Sequence, residues 1–259
     1  MTRVDVSADA VGTLLGVWAH PDDEAYLSSG LMAHVRRGGG RVVVVTATRG
    51  EHGTDDPETW PPERLAPHRE QELRDSLAVV GVHEHRWLPY RDGELASLPL
   101  ATGAAGLVEI LDEVRPDTIV TFGPEGMTGH DDHRTISAWT TEAWRLTGHR
   151  GDLWYATLTP EFHDEWGHLN DEVGLWFAGR PPSTPRSELA AQVHLSGRWL
   201  SQKHRALQAH ASQTGPLEAL VGSSRYRSWW ADESFVPAAR AEVALDPDGD
   251  RRLVRPPSC

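Results

Sequence analysis

Two short clusters hold most of the side chains able to grip a cation and move a proton. The first is Ala19-His20-Pro21-Asp22-Asp23-Glu24 and the second is Gly129-His130-Asp131-Asp132-His133. Each follows an apolar run, Leu14-Leu15-Gly16-Val17-Trp18 in one case and Thr118-Ile119-Val120-Thr121-Phe122 in the other. Runs of that length read as buried strands. In open α/β sheets, ligands bind at the carboxyl ends of strands. The pattern therefore brings imidazoles and carboxylates from two strand ends to one place. His20 and Asp23 are three residues apart, as are His130 and His133, and on the first turn of a helix such positions share a face. His20, Asp23 and one histidine of the second cluster make three protein ligands. Three ligands and an open fourth position are the usual pattern of catalytic zinc.

The only cysteine is Cys259, so ligation falls to N and O atoms, which suit Zn2+ and also Fe2+, Mn2+ or Co2+. Asp22, Asp23, Glu24, Asp131 and Asp132 would repel one another without a cation. A divalent ion lowers the pKa of water to about 7. Asp22, about 100° around the turn from Asp23, need not be a ligand and is placed to accept the water's proton. A second histidine, protonated, can stabilise the developing oxyanion and supply the leaving group's proton.

The elements that position these clusters alternate between strand and helix signals. Strands are expected at 13–19, at 41–47 with its four consecutive valines, at 85–88, 118–122 and 153–158, and at 189–194. Helices are expected at 25–37, where Leu27, Leu31, Met32 and Val35 share a face and Gly38-Gly39-Gly40 stops the run, and at 64–80, 101–114, 133–146 and 197–211. Alternation of this kind implies crossover units and a parallel sheet. The expected fold is α/β, a doubly wound, mostly parallel sheet in a single domain over 1–245, with a polar tail over 246–259. Segments 51–62, 91–100 and 215–234 are expected as loops that set specificity.

The chain has 259 residues and a net charge of −13. That charge argues against broad contact with nucleic acid or anionic membranes. No apolar run approaches the roughly 20 residues that span a bilayer. The start of the chain lacks the basic-then-apolar pattern of a signal peptide, and no intrachain disulfide is possible, which fits a cytoplasmic protein. Assembly into a homo-oligomer is left open. Most of the 11 tryptophans are expected in packing, with one or two left to stack on sugar faces.

At the two clusters the chain resembles the PIG-L/LmbE family of metal-dependent N-deacetylases. His20-Pro21-Asp22-Asp23-Glu24 matches its signature, and Gly129-His130-Asp131-Asp132-His133-Arg134 matches its second motif. Arg69-Glu70-Gln71-Glu72-Leu73, Asp92-Gly93-Glu94-Leu95 and the stretch from Lys203 to Gln213 resemble further family motifs, in family order. The resemblance implies a Rossmann-like domain with zinc on His20, Asp23 and His133. It makes Asp22 the general base. It makes His130 the oxyanion-stabilising group, oriented by Asp132. Arg69, Asp92 and Glu51 become substrate contacts, and Glu24 supports or caps. Some members carry a tyrosine two residues before the first histidine of the second motif, where this chain has Thr128, so that tyrosine's role does not carry over.

The function expected is zinc-dependent hydrolysis of an N-acyl group, chiefly N-acetyl, from a small amino sugar or glycoconjugate. An amidase of a thiol-sugar conjugate is an alternative within the same chemistry. A non-catalytic metal- or sugar-binding protein would have no use for Asp22 and His130. A nucleotide-binding oxidoreductase needs Gly-x-Gly-x-x-Gly after the first strand, where this chain has His-Pro-Asp-Asp-Glu.

Overall fold

A computed structural model describes residues 2–238. The chain runs β1 (Arg3–Val4), α1 (Ala8–Val11), β2 (Leu14–Trp18), α2 (Asp23–Leu27), α3 (Ser29–Arg37) and β3 (Val42–Thr46). It continues through α4 (Pro62–Val79), β4 (Glu84–Trp87), α5 (Leu100–Val114), β5 (Thr118–Phe122), α6 (Asp131–Leu146) and β6 (Asp152–Thr157). The last part holds α7 (Pro160–Glu172), β7 (Ala191–His194), α8 (Gly197–Ala209), α9 (Ala211–Val221), α10 (Ser223–Trp229) and β8 (Asp232–Pro237).

Every residue of β2, β3 and β5 is buried, as strands covered on both faces must be. Two groups of helices supply the cover: α5 packs with α6, and α8 packs with α3 and α4. Gly103 of α5 allows the closest approach in the first group. A Cβ there would lie 1.9 Å from the Trp139 ring of α6.

The sheet order is β1-β7-β8-β6-β5-β2-β3-β4. From β4 to β6 all pairings are parallel. The chain winds outward from β2 through β3 to β4 and then resumes on the other side with β5 and β6. The switch point lies between β2 and β5, where a doubly wound sheet opens a crevice at its strands' carboxyl ends. Both sequence clusters start there. The fold is therefore a single α/β domain with a mostly parallel sheet. The expected boundary at 245 and the tail over 246–259 lie outside the described residues.

Three differences from the sequence expectation have physical causes. The helix expected over 25–37 is two helices, broken at Ser28 (φ −145°, ψ 1°). The break frees the first N–H groups of α3, and the Glu233 carboxylate accepts from Gly30 and Leu31 at 2.7 and 2.8 Å. Glu233 belongs to β8, a strand the sequence hides. Its Asp-Glu-Ser start reads as polar, yet the Glu233 side chain is buried in an ion pair with Lys203 at 2.7 Å. β8 inserts antiparallel between β6 and β7. Finally, most of the loop expected at 215–234 is helix. α8 ends at His210 (φ −85°, ψ 46°), and α9 and α10 follow. Among the described residues no helix is long and apolar enough to cross a membrane.

Candidate metal centre and active site

β2 ends at Trp18, and the next turn carries His20, Pro21 and Asp22 into α2. Asp22 sits at φ +123°, a conformation L-residues rarely adopt and one that clusters at functional sites. Two buried side chains hold the turn. Arg69 of α4 donates to Pro21 O at 2.6 Å and to Gly50 O at 2.8 Å. It reaches them across Gly50 (φ +62°), where a Cβ would lie 2.1 Å from the guanidinium. Glu24 accepts from the Asp22 N–H at 3.0 Å and pairs with His210 at 2.7 Å. The Asp22 carboxylate itself has no hydrogen-bond partner among the described residues. Its near neighbour is Arg69, at 3.6 Å.

β5 delivers the second cluster. His130 caps α6, its Nδ1 accepting the Asp132 N–H at 3.1 Å. An accepting Nδ1 fixes the neutral tautomer with the proton on Nε2. His133, one turn into α6, stacks on Phe122 with ring centroids 4.1 Å apart.

His20 Nδ1 and His133 Nε2 are 3.2 Å apart. His133 Nε2 lies 3.3 Å from Asp23 Oδ1, and His20 Nδ1 lies 3.8 Å from Asp23 Oδ2. A tetrahedral ion with ligands at about 2.0–2.2 Å requires ligand separations of about 3.3–3.6 Å; the His20–His133 and His133–Asp23 Oδ1 distances lie close to that range, while Asp23 meets His20 through Oδ2, which also accepts the His20 N–H at 2.8 Å. The opposite ring nitrogens are braced as ligating histidines require. His20 Nε2 faces Asp92 at 3.1 Å and Asp132 at 3.3 Å. His133 Nδ1 donates to Gly126 O at 3.0 Å.

The groupings whose ligand atoms all lie within 4.8 Å of one another, among the described residues, are His20 with His130 and His133, and His20 with Asp92 and Asp132. The first uses an imidazole already engaged as a helix cap. In the second, both carboxylates are held by main-chain N–H groups, from His52 to Asp92 and from Gly93 and Leu95 to Asp132. They serve better as braces than as ligands.

The site concentrates opposed charges in a buried place. Burial opposes protonation of His20, but the carboxylates of Asp132, Asp92 and Asp23 outweigh it and raise the imidazole to about 10. Burial lifts Asp22 to about 7 against the pull of Arg69, and lifts Asp23 to about 6 against the pull of His20. His133 is pushed well down, first by burial and then by the neighbouring histidines, and a neutral imidazole is the form that ligates.

The sequence-predicted residues divide at this point. His20, Asp22, Asp23, Arg69, Asp92, His130 and His133 all line one cavity of about 450 Å3. Asp132 does not orient His130 through its carboxylate. That carboxylate turns to His20, and the link to His130 is the Asp132 main-chain N–H. Asp92 is committed to His20 and His52, which weakens its reading as a substrate contact. Glu51 is not on the cavity wall. It accepts from the Asp92 N–H at 3.2 Å and so supports that brace. Glu72 turns from Arg69 to Ser212.

Thr128 contacts His133 Nδ1 at 3.3 Å. His210, which alone reads as a packed helix residue, is fully buried against Glu24. The signal for it lies in the late His-Ala-Ser-Gln stretch, 210–213. Spacing gives no hint of the opposite wall, where Trp176, Phe177, Leu217 and Trp230 come from segments distant in sequence.

The family model described as PIG-L, GlcNAc-PI de-N-acetylase, matches residues 15–144. A 1D-myo-inositol 2-acetamido-2-deoxy-alpha-D-glucopyranoside deacetylase of Salinispora arenicola is 33% identical over 237 residues, spanning 77% of this chain and 75% of its own. The enzyme of the same description from Rhodococcus jostii is 29% identical over 92% of this chain and 96% of its own. Among solved structures, the N,N'-diacetylchitobiose deacetylase of Pyrococcus horikoshii superposes with a TM-score of 0.61 at 21% identity, covering 87% of this chain and 83% of that one. On the family match and the identity to its relatives, this chain belongs to the PIG-L family and is a hydrolytic N-deacetylase.

Proposed function

We propose that the protein removes the acetyl group from an N-acetylated amino sugar, using a zinc ion held by His20, Asp23 and His133. The observation that carries the reading is the juxtaposition of this N, N, O trio with a carboxylate, Asp22, that has no hydrogen-bond partner among the described residues and faces the same cavity. Relatives named for a 2-acetamido-2-deoxy-glucopyranoside support an N-acetylglucosaminide as the substrate class. A cytoplasmic setting belongs to the same reading, supported by a sequence that cannot form an intrachain disulfide.

A divalent ion in this position supplies Lewis acidity, making water nucleophilic near neutral pH and polarising a carbonyl. The chain's own groups do the rest. Asp22, which faces the cavity beside the trio, accepts the proton of the attacking water as general base. His130 keeps its Nε2 proton because Nδ1 is occupied by the Asp132 N–H. It therefore donates a hydrogen bond to the carbonyl oxygen as negative charge develops there. When the C–N bond breaks, Asp22 passes its proton to the departing amine, leaving acetate and a free amino sugar. Arg69 and Glu24 are positioning residues that hold Pro21 and Asp22 in the strained turn.

The test is amine release from a panel of N-acetylated sugars by the zinc-loaded protein. Release with equimolar acetate is expected. Absence of release from every member, with metal bound, would overturn the assignment.

A further inference from the structure

His210 stands where α8 turns into α9, and its side chain does not cap α9. That helix is anchored by other groups. The Ser212 N–H and hydroxyl donate to Glu72 at 2.7 and 2.6 Å. The His210 main-chain O accepts from the N–H groups of Gln213 and Thr214, both at 2.9 Å. The imidazole is fully buried, and Nε2 donates to Glu24 Oε1 at 2.7 Å. Its Nδ1 is buried with no partner among the described residues. A buried nitrogen left unpaired costs stability, and a buried ion pair is seldom more stable than apolar side chains of the same volume. Packing therefore does not account for a histidine here.

Glu24 carries the contact onward. It is fully buried too, and its two oxygens serve different partners. Oε1 accepts from His210 and from the Ser76 hydroxyl at 3.3 Å, while Oε2 accepts the Asp22 N–H at 3.0 Å. The partners on Oε1 thus set the rotation in which Oε2 meets that N–H. Asp22 sits at φ +123°, a conformation that persists only where its surroundings over-determine it. We infer that His210 is a positioning residue for Asp22. Acting through Glu24, from 186 residues along the chain, it holds the main chain in the turn that presents the Asp22 carboxylate to the cavity. Its effect on rate rests on the proposed role of Asp22 as general base, but the geometric link does not. Nε2 donates in both the neutral and the charged ring, so the link does not depend on titration of His210.

A catalytic group misplaced by about 1 Å can cost on the order of 100-fold in rate. The test compares two amide replacements in the full-length, zinc-loaded protein. His210→Gln puts an amide N–H near the place of Nε2, within reach of Glu24. His210→Asn is as polar, but its shorter side chain puts the amide near the place of Nδ1 and loses Glu24. His210→Asn should lower kcat by about 10–100-fold with zinc content and KM little changed, and His210→Gln should recover most of that loss. In an Asp22→Asn background the His210→Asn change should lower kcat no further, because the group it acts through is already lost. A second readout needs no turnover. Hydrogen exchange of the Asp22 amide should be at least about tenfold faster in His210→Asn than in the parent, and close to the parent in His210→Gln.

Equal kcat in the Asn and Gln variants would overturn the inference and leave His210 a core residue. So would the same fold loss with and without the Asp22 carboxylate. A parent that releases no amine would reject the deacetylase reading instead, and the exchange rate of the Asp22 amide would then decide the positioning by itself.

Discussion

Asp22 adopts a backbone conformation of φ +123°, which costs on the order of 1–3 kcal/mol. The cost is met by Arg69 on Pro21 and Glu24 on the Asp22 N–H, and the result is a carboxylate kept clear of other partners. Asp22→Asn should keep metal and fold but lower kcat by about 100-fold or more, because an amide cannot take the water's proton. Steady-state kinetics beside metal analysis would read this, and loss of metal would instead make Asp22 a ligand. Asp92 and Asp132 both pair with His20, and on the proposed reading they act through it rather than on the substrate. Asp92→Asn should therefore weaken metal affinity by about 10–100-fold, read by competition with a chromophoric chelator, with little change in kcat once metal is saturating. A raised KM at saturating metal would return Asp92 to substrate binding. That His20, Asp23 and a histidine of the second cluster come together is legible along the chain, because each lies a fixed few residues past a strand end or one turn from a helix start; the choice of His133 over His130 rests on the family resemblance. The direction of the Asp132 carboxylate is not legible. It is set by the Gly93 and Leu95 N–H groups of a turn nearly forty residues away.

At the scale of elements, the part of the sheet that frames the site depends on one buried ion pair. Lys203 of α8 donates to Tyr26 O at 2.6 Å and to Glu233 at 2.7 Å. Glu233 in turn caps α3. The pair thus fixes the end of α2, the start of α3 and the position of β8 together. Lys203→Met leaves the Glu233 carboxylate buried and uncompensated, and should destabilise the fold by roughly 3–5 kcal/mol. Lys203→Met with Glu233→Gln should recover part of that loss. Chemical denaturation of the two variants would check it, and a single variant as stable as the parent would show the pair to be dispensable. The parallel strands and their crossover helices are legible because continuous apolar runs and helical spacing are local signals. The α2–α3 break and β8 are not. Both depend on a Glu whose burial becomes intelligible only once Lys203, thirty residues earlier, is seen to meet it.

For the molecule as a whole, the doubly wound sheet brings two strand ends together at its switch point and closes the crevice with α7, α9, α10 and the segment before β7. A site at the carboxyl ends of the strands is legible from the apolar runs that precede both clusters. Its apolar wall is not, because it is assembled from residues between Tyr26 and Trp230 that share no local pattern. Four carboxylates, Asp22, Asp23, Asp92 and Asp132, surround His20 and Arg69, so the folded state should be markedly tighter with a divalent ion. At a free zinc concentration about 100 times Kd the gain is about 2.7 kcal/mol. A protein of this size should then melt roughly 5–10 °C higher with zinc than after chelation. Differential scanning calorimetry would read this, and coincident melting curves would argue that no ion is held by the fold. The central claim, that His20, Asp23 and His133 are the ligands while Asp22 and His130 are not, is tested most directly by the zinc content per chain of purified variants. The account predicts about one ion per chain in the parent, in Asp22→Asn and in His130→Ala, and close to none in His133→Ala. An ion retained by folded His133→Ala, or lost from folded His130→Ala, would contradict it.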